Sequence, residues 1–156
     1  MARDLRAQLR RWGKVVALGF VLGLAMGYVV FYGVFPSASF PTTGDVSFLW
    51  VLAVVVPVAL VVGLAADDVP SVMEASFLSV PFGLAVGTLM AMSPTLAGLY
   101  ILAPVDVPFF LAHYGLALLA MAFLVDIAGT FVGFALREPF LRWTYRRRRM
   151  AAVGRK

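Results

Sequence analysis

Four long apolar stretches, separated by shorter segments that contain proline, serine and acidic residues, make up most of this chain. A helix rises about 1.5 Å per residue, so roughly 20 apolar residues cross a hydrocarbon layer of about 30 Å. The pattern predicts four transmembrane helices, at about residues 15–35, 48–66, 75–92 and 109–136. Residues 95–103 are apolar but too few for another crossing, so they either extend the third helix to residue 103 or form a re-entrant or interfacial segment.

Composition leads to the same class of protein. The 156 residues are 62% hydrophobic and 13% charged, and the mean hydropathy is +0.95. Four crossings leave few residues for a separate soluble domain. We therefore expect an all-α, polytopic membrane protein whose residues 1–156 form a single membrane domain.

The basic residues lie only at the two ends of the chain. All thirteen lysines and arginines fall in residues 3–14 or 137–156. Because positive charge is retained on the cytoplasmic side, an even number of crossings predicts a cell-membrane protein with both termini in the cytoplasm.

The basic tail, residues 137–156, mixes arginines with aromatic residues. Such a mixture could bind RNA, but beside a transmembrane helix it is better explained as an anchor on anionic lipid headgroups, so no nucleic-acid partner is predicted. The predicted anchoring residues are Arg142, Trp143, Arg146, Arg147, Arg148 and Arg149.

The residue inventory excludes several kinds of chemistry. Cysteine is absent and histidine occurs once, as His113, so thiolate metal sites and bis-histidine haem cannot be built from this chain. No hydrolase, kinase, dinucleotide or metalloprotease motif is present. We predict a non-enzymatic protein without a metal or cofactor.

Glycines recur at four-residue spacing within three of the predicted helices. This spacing places them on one face, where another helix can approach closely. The face could pack within the chain or form a seam between subunits of an oligomer. The predicted packing residues are Gly19, Gly23, Gly27, Gly83, Gly87, Gly129 and Gly133.

Asp126 is the one acid deep inside a predicted helix, about 16 Å along the helix from the basic boundary at Arg137. It shares a face with Gly129 and Gly133, and Thr130 lies one turn further on. His113 is about 20 Å away on the same helix and cannot contact it. Asp126 is therefore either a proton- or cation-binding group or a protonated carboxyl that joins two helices by a hydrogen bond.

The third helix begins near a sequence that resembles a capping box. In Ser71-Val72-Met73-Glu74, the Glu74 carboxylate could accept a hydrogen bond from the Ser71 backbone N–H. The alternative is that Glu74 joins Asp67 and Asp68 in an acidic cluster that attracts cations.

Two functions fit these patterns. The first is a subunit or scaffold of a membrane complex, acting through glycine-lined helix packing with copies of itself or with other membrane subunits. The second is an oligomeric ion transporter, proton-coupled transporter or channel that uses Asp126. The sequence does not identify a substrate.

Overall fold

The computed structural model describes residues 2–39, 48–96, 109, 113 and 115–153. Within these ranges the side chains of residues 2–4, 7, 35–39, 94–96 and 142–153 are not described.

Four helices account for nearly all of this described part of the chain. Helix α1 spans Ala2–Ser39, α2 spans Phe48–Ala65, α3 spans Val69–Leu96 and α4 spans Leu116–Val153. Each contains a segment long and apolar enough to cross a membrane, namely Gln8–Val34, Phe48–Ala65, Val69–Ser93 and Leu116–Leu141. The prediction of an all-helical chain with four such helices is confirmed.

Three helices extend beyond their predicted apolar segments. Helix α1 begins at Ala2, because residues 2–14, which precede the apolar segment, are mostly good helix formers such as Arg, Ala, Leu and Gln. Helix α3 begins at Val69, six residues before the predicted start, and ends at Leu96. Helix α4 continues through the backbone of the basic tail to Val153. The proposed extension of the third helix to residue 103 lies outside the described residues.

The helices form two parallel pairs. Helix α1 packs mainly against α3, and α2 packs mainly against α4. Ion pairs join the beginnings of α1 and α3, through Arg11 and Glu74, and join Lys14 and Arg137 to Asp67 in the α2–α3 turn. The starts of α1 and α3 and the ends of the α2 and α4 spans therefore lie at one end of the bundle.

Glycines form the contact between α1 and α3. A Cβ added to Gly19 would lie 2.8 Å from Leu78 Cβ, and one added to Gly27 would lie 2.7 Å from Val86 Cβ. At Gly23, between them, an added Cβ would collide with Phe82. Distances this short leave no room for a side chain, so this face of α1 fits directly against α3.

Helices α2 and α4 are in equally close contact. An added Cβ at Gly63 would meet Phe134 N at 2.7 Å, and one at Gly129 would meet Ala59 Cβ at 2.8 Å. At Gly133 an added Cβ would collide with the backbone of Leu60. Backbone therefore lies almost directly on backbone in this pair.

Many large apolar side chains point away from the bundle, as expected for helices that contact lipid rather than water. Leu49 is 74% exposed and Leu124 is 68% exposed. The interior is filled mainly by aliphatic residues, among them Met26, Val29, Val30, Val51, Val55 and Ala122.

Candidate functional site

A small polar cluster lies in the otherwise apolar interior, near the middle of the apolar spans of α3 and α4. Asp126 on α4 is completely buried, and so are Thr130 on the same helix and Ser79 on α3. Ser76, one turn before Ser79, is 1% exposed. A buried polar group is costly unless it is paired, so the partners of these atoms determine what the cluster can do.

Two hydroxyl oxygens contact the Asp126 carboxyl, one at each oxygen atom. Ser79 Oγ lies 3.1 Å from Asp126 Oδ2, and Thr130 Oγ1 lies 3.1 Å from Asp126 Oδ1. The Ser79 contact joins α3 to α4, so the carboxyl sits at the contact between the two helix pairs. In the described part of the chain, no lysine, arginine or histidine contacts this carboxyl.

Each of these hydroxyls also has a closer acceptor. Ser79 Oγ donates to the Ser76 backbone carbonyl at 2.6 Å. Thr130 Oγ1 donates to the Asp126 backbone carbonyl at 2.5 Å. A hydroxyl has one hydrogen and two lone pairs. Each hydroxyl can therefore donate its hydrogen either to the backbone carbonyl or to the carboxyl oxygen that it also reaches.

Ser79 has a third neighbour, because its Oγ lies 3.0 Å from the Met26 sulfur on α1. Thioether sulfur is a weak acceptor, so this contact does not compete with the carbonyl for the hydrogen. It places a polarisable atom of α1 beside the cluster, which is thus bordered by α1, α3 and α4.

The Ser76 side chain lies close enough to Asp126 to act on its carboxyl, but its hydroxyl makes no hydrogen bond of ordinary length to the described residues. An unpaired hydroxyl in an apolar interior costs about 1–3 kcal/mol relative to a paired one. Such groups are few in folded proteins. Ser76 is therefore the one unsatisfied member of the described cluster.

A pocket of about 40 Å³ lies between α3 and α4 and reaches Ser76. Its walls are almost wholly apolar, and it is lined by Met73, Ser76, Phe77, Ile127 and Phe131. A site needs only about 10–15 Å³ of such volume to admit one water molecule. The pocket is therefore large enough for a water molecule beside the polar cluster.

The predicted residues divide into two groups. Gly129 and Gly133 contact α2, as described above, while Asp126 contacts α3. Thr130, the predicted neighbour one turn further on, contacts the carboxyl. His113, predicted to be out of reach of Asp126, is exposed and stacks against Phe109 with the ring centroids 5.9 Å apart. Sequence reasoning missed Ser76 and Ser79, although two hydroxyls three residues apart inside the third apolar segment mark one polar face.

The expected capping box at the start of α3 is wrong. The Ser71 N–H donates to Asp68 Oδ1 at 2.8 Å, so Asp68 caps the helix. Glu74 instead pairs with Arg11 at 3.2 Å. Sequence spacing could not show this, because a cation 63 residues away competes for the Glu74 carboxylate.

The three acids near this turn have different partners and do not act as a free acidic cluster. Asp67 accepts from Lys14 at 2.6 Å and from Arg137 at 3.4 Å. The hydrogen bonds from the Ser71 side chain and backbone lower the pKa of Asp68, because they favour its charged form. Asp67 therefore connects α1 and α4, and Asp68 holds the start of α3.

The six predicted lipid-anchoring residues lie on the α4 backbone from Arg142 to Arg149, and their side chains are outside the described part of the structure. Their role stays a prediction.

No protein-family model, curated protein or solved structure matches this chain. The described fold is all-helical, with four helices that are long and apolar enough to span a membrane and a buried carboxyl between them.

Proposed function

We propose that this protein is a non-enzymatic, multi-pass cell-membrane protein with cytoplasmic termini, and that Asp126 reversibly binds a proton or a cation during coupled transport. Its apolar surface would contact lipid, and the arginine-rich tail would bind anionic headgroups on the cytoplasmic side.

The observation that carries this proposal is the arrangement of oxygen atoms around the Asp126 carboxyl. One hydroxyl lies 3.1 Å from each carboxyl oxygen, and within the described residues no cationic side chain lies beside the carboxyl. A carboxylate in an apolar interior with only neutral hydroxyl partners is unfavourable, because its charge is not balanced. A proton on the carboxyl, or a cation bound to it, would balance that charge.

The position of the carboxyl also favours transport. Asp126 lies where one helix pair meets the other, and each pair is held together internally by close glycine contacts. Two rigid units that meet at an ion-binding group can rock against each other around it, as the halves of many transporters do. A group that binds and releases a charge there can couple the charge to this motion.

A second candidate is a subunit or scaffold of a membrane complex, with copies of this chain or other membrane subunits as partners. The predicted glycine faces are occupied by helices of the same chain, so a partner would bind elsewhere. Such a partner would replace lipid on an outward apolar surface, for example that of α2, where Leu49 and Val61 are 74% and 63% exposed. Native mass spectrometry in mild detergent tests it, and a strictly monomeric, partner-free protein would count against it.

Flux measurements in proteoliposomes test the transport proposal. Vesicles containing an internal pH dye receive either a pH gradient or a ²²Na⁺ gradient while the membrane potential is clamped. We expect wild-type flux of at least one of these ions above that of protein-free vesicles, and a loss of at least about tenfold in Asp126→Asn.

Asp68→Asn is the matched control, because it makes the same chemical change at the start of α3 while asparagine can still cap the helix. Wild-type flux equal to that of empty vesicles, or equal flux in Asp126→Asn, would refute the proposal.

A further inference from the structure

The beginning of α1 projects beyond the beginning of α3. Arg11 pairs with Glu74, which lies about one turn into α3, and an added Cβ at Gly13 has nothing within 4 Å. Residues 5, 6 and 8–10, which precede this ion pair, are all exposed. The described side chains at the start of α1 are therefore not packed against another helix.

This projecting segment has an apolar stripe on one side. Leu5, Leu9, Trp12 and Val16 follow the spacing four, three, four, which places them on the same side of α1. All four are exposed, with Leu5 and Leu9 at 62% and 63%. Val16 lies well inside the segment Gln8–Val34, which is apolar enough to span a membrane. The stripe thus continues onto a surface that lipid would cover.

The basic side chains of the segment fall into two groups. Arg11 and Lys14 each follow a residue of the stripe by two positions, so they lie about 200° around the helix from it. Both form ion pairs with acidic residues of the bundle. Arg6 and Arg10 each follow a residue of the stripe by one position, so they lie beside it. Within the described residues, neither of these two arginines forms an ion pair.

We propose that this side of α1 binds anionic phospholipid of the cytoplasmic leaflet. Leu5, Leu9 and Trp12 would lie among the upper parts of the acyl chains, and Arg6 and Arg10 would contact the phosphates. Helices that lie in a membrane interface combine an apolar stripe with basic residues in this way. The inference rests on the membrane placement proposed above, and it goes beyond the proposed ion transport.

The length of α1 favours contact between the stripe and the membrane surface. Gln8–Val34 contains 27 residues, or roughly 40 Å of helix, whereas the hydrocarbon layer is about 30 Å thick. A span that is longer than this layer tilts. A tilt toward the stripe brings Leu5 and Leu9 to the interface and removes their apolar surface from water.

Fluorescent labels on single cysteines test this surface, because the chain contains no native cysteine. The full chain carries bimane at Leu9→Cys or, as the matched control, at Arg11→Cys, an exposed position about 200° around the same helix. Each is placed in nanodiscs of equimolar phosphatidylcholine and phosphatidylglycerol. Acrylamide quenches a label from the water, and doxyl-labelled lipid quenches it from the membrane.

We expect the doxyl lipid to quench the Leu9 label, and the acrylamide quenching constant of this label to be at least about threefold below that of the Arg11 label. A Leu9 label that acrylamide reaches as readily as the Arg11 label would overturn the lipid surface. Protection from acrylamide without doxyl quenching would also overturn it, because protein, such as a second copy of this chain, would then cover the stripe.

Two double variants test the role of charge. In Arg6→Gln/Arg10→Gln, or in nanodiscs of phosphatidylcholine alone, the protection of the Leu9 label should fall to less than about half. Arg6→Lys/Arg10→Lys keeps both charges and should keep the protection. Both double variants should fold, since the described residues form no ion pair with these arginines. Equal protection with and without phosphatidylglycerol would overturn the preference for anionic lipid.

A label at Leu124→Cys separates this surface from the membrane placement on which it rests. Leu124 is 68% exposed within the α4 span, so the doxyl lipid should quench its label. Quenching at Leu124 but not at Leu9 would overturn the lipid surface alone, whereas quenching at neither position would overturn both. Ion flux enters none of these measurements, so a protein without flux could still show the lipid surface.

Discussion

The contacts within the two helix pairs differ in kind from the contact between the pairs. Within each pair, glycines let the two helix backbones approach closely. An added Cβ would lie 2.7 Å from its nearest atom at Gly27 and 2.8 Å at Gly129, and at Gly63 it would collide with the Thr130 carbonyl oxygen. Between the pairs, the polar contacts are made by side chains, such as Ser79 with Asp126 and Lys14 with Asp67.

This difference separates the parts of the bundle that are rigid from those that can rearrange. A backbone contact of this kind has no side-chain rotamers through which it can adapt. A hydroxyl, a carboxyl or a lysine can exchange partners by rotation about its side-chain bonds. Motion is therefore expected between the pairs, where Asp126 lies, and not within them.

The largest effect is expected from a bulky residue inside one pair. In Gly133→Leu, the new side chain would occupy the position of the Leu60 backbone, so α2 and α4 must separate. We expect a loss of at least about 3 kcal/mol of folding stability, or no folded protein. Thermal unfolding and size-exclusion chromatography in detergent measure this.

Gly13→Leu is the control for that experiment. An added Cβ at Gly13 has nothing within 4 Å, so the same substitution meets open space on α1. Near-equal losses of stability in both variants would show that close packing of the pair is not what makes leucine harmful.

Replacing single glycines by alanine tests how closely α1 and α3 are packed. In Gly27→Ala, the new methyl group would lie 2.7 Å from Val86 Cβ and 2.9 Å from the Gly83 carbonyl oxygen, so we expect a cost of about 1–3 kcal/mol. In Gly87→Ala, the nearest atom is 3.5 Å away, an ordinary contact. Alanine also favours the helix by about 0.5–1 kcal/mol over glycine.

Unfolding in a denaturant series should therefore rank Gly87→Ala at or above the wild type and Gly27→Ala below it. The reverse order would mean that the glycine face of α1 is less closely packed than its distances indicate.

The sequence predicts the glycine faces better than it predicts the polar partners. Helix number followed from the length of each apolar stretch, and the contact of Asp126 with Thr130 followed from one helical turn within α4. Periodicity within one helix is visible in the sequence because the helix geometry is fixed.

The contact between Ser79 and Asp126 could not be predicted in the same way. It depends on the relative height and rotation of two helices whose contacting residues are 47 positions apart. Packing of the whole bundle sets those two quantities. Glu74 illustrates the same limit, because its local spacing indicated a cap while its partner Arg11 lies on another helix.

The smallest effect is expected at the ion pairs that join the two helix pairs at one end of the bundle. Asp67 accepts from Lys14 on α1 and from Arg137 on α4, and its side chain is 59% exposed. Exposed ion pairs contribute about 0–1 kcal/mol each and weaken with salt. Because Arg137 also donates to the Asp67 backbone carbonyl at 2.9 Å, Asp67→Asn removes only part of the connection.

We therefore expect Asp67→Asn to lower stability by at most about 1 kcal/mol at low salt, and the difference to vanish near 1 M KCl, where the Debye length is about 3 Å. KCl is used because it adds no Na⁺, which is a candidate ion of the transport proposal. Asp68→Asn removes the same charge from the neighbouring residue without breaking these pairs, so its effect on stability should depend less on salt. A loss for Asp67→Asn that persists at high salt would mean that this end of the bundle is held by something other than exposed charge. At this end of the bundle, the contact between the two helix pairs would then be as rigid as the contacts within each pair.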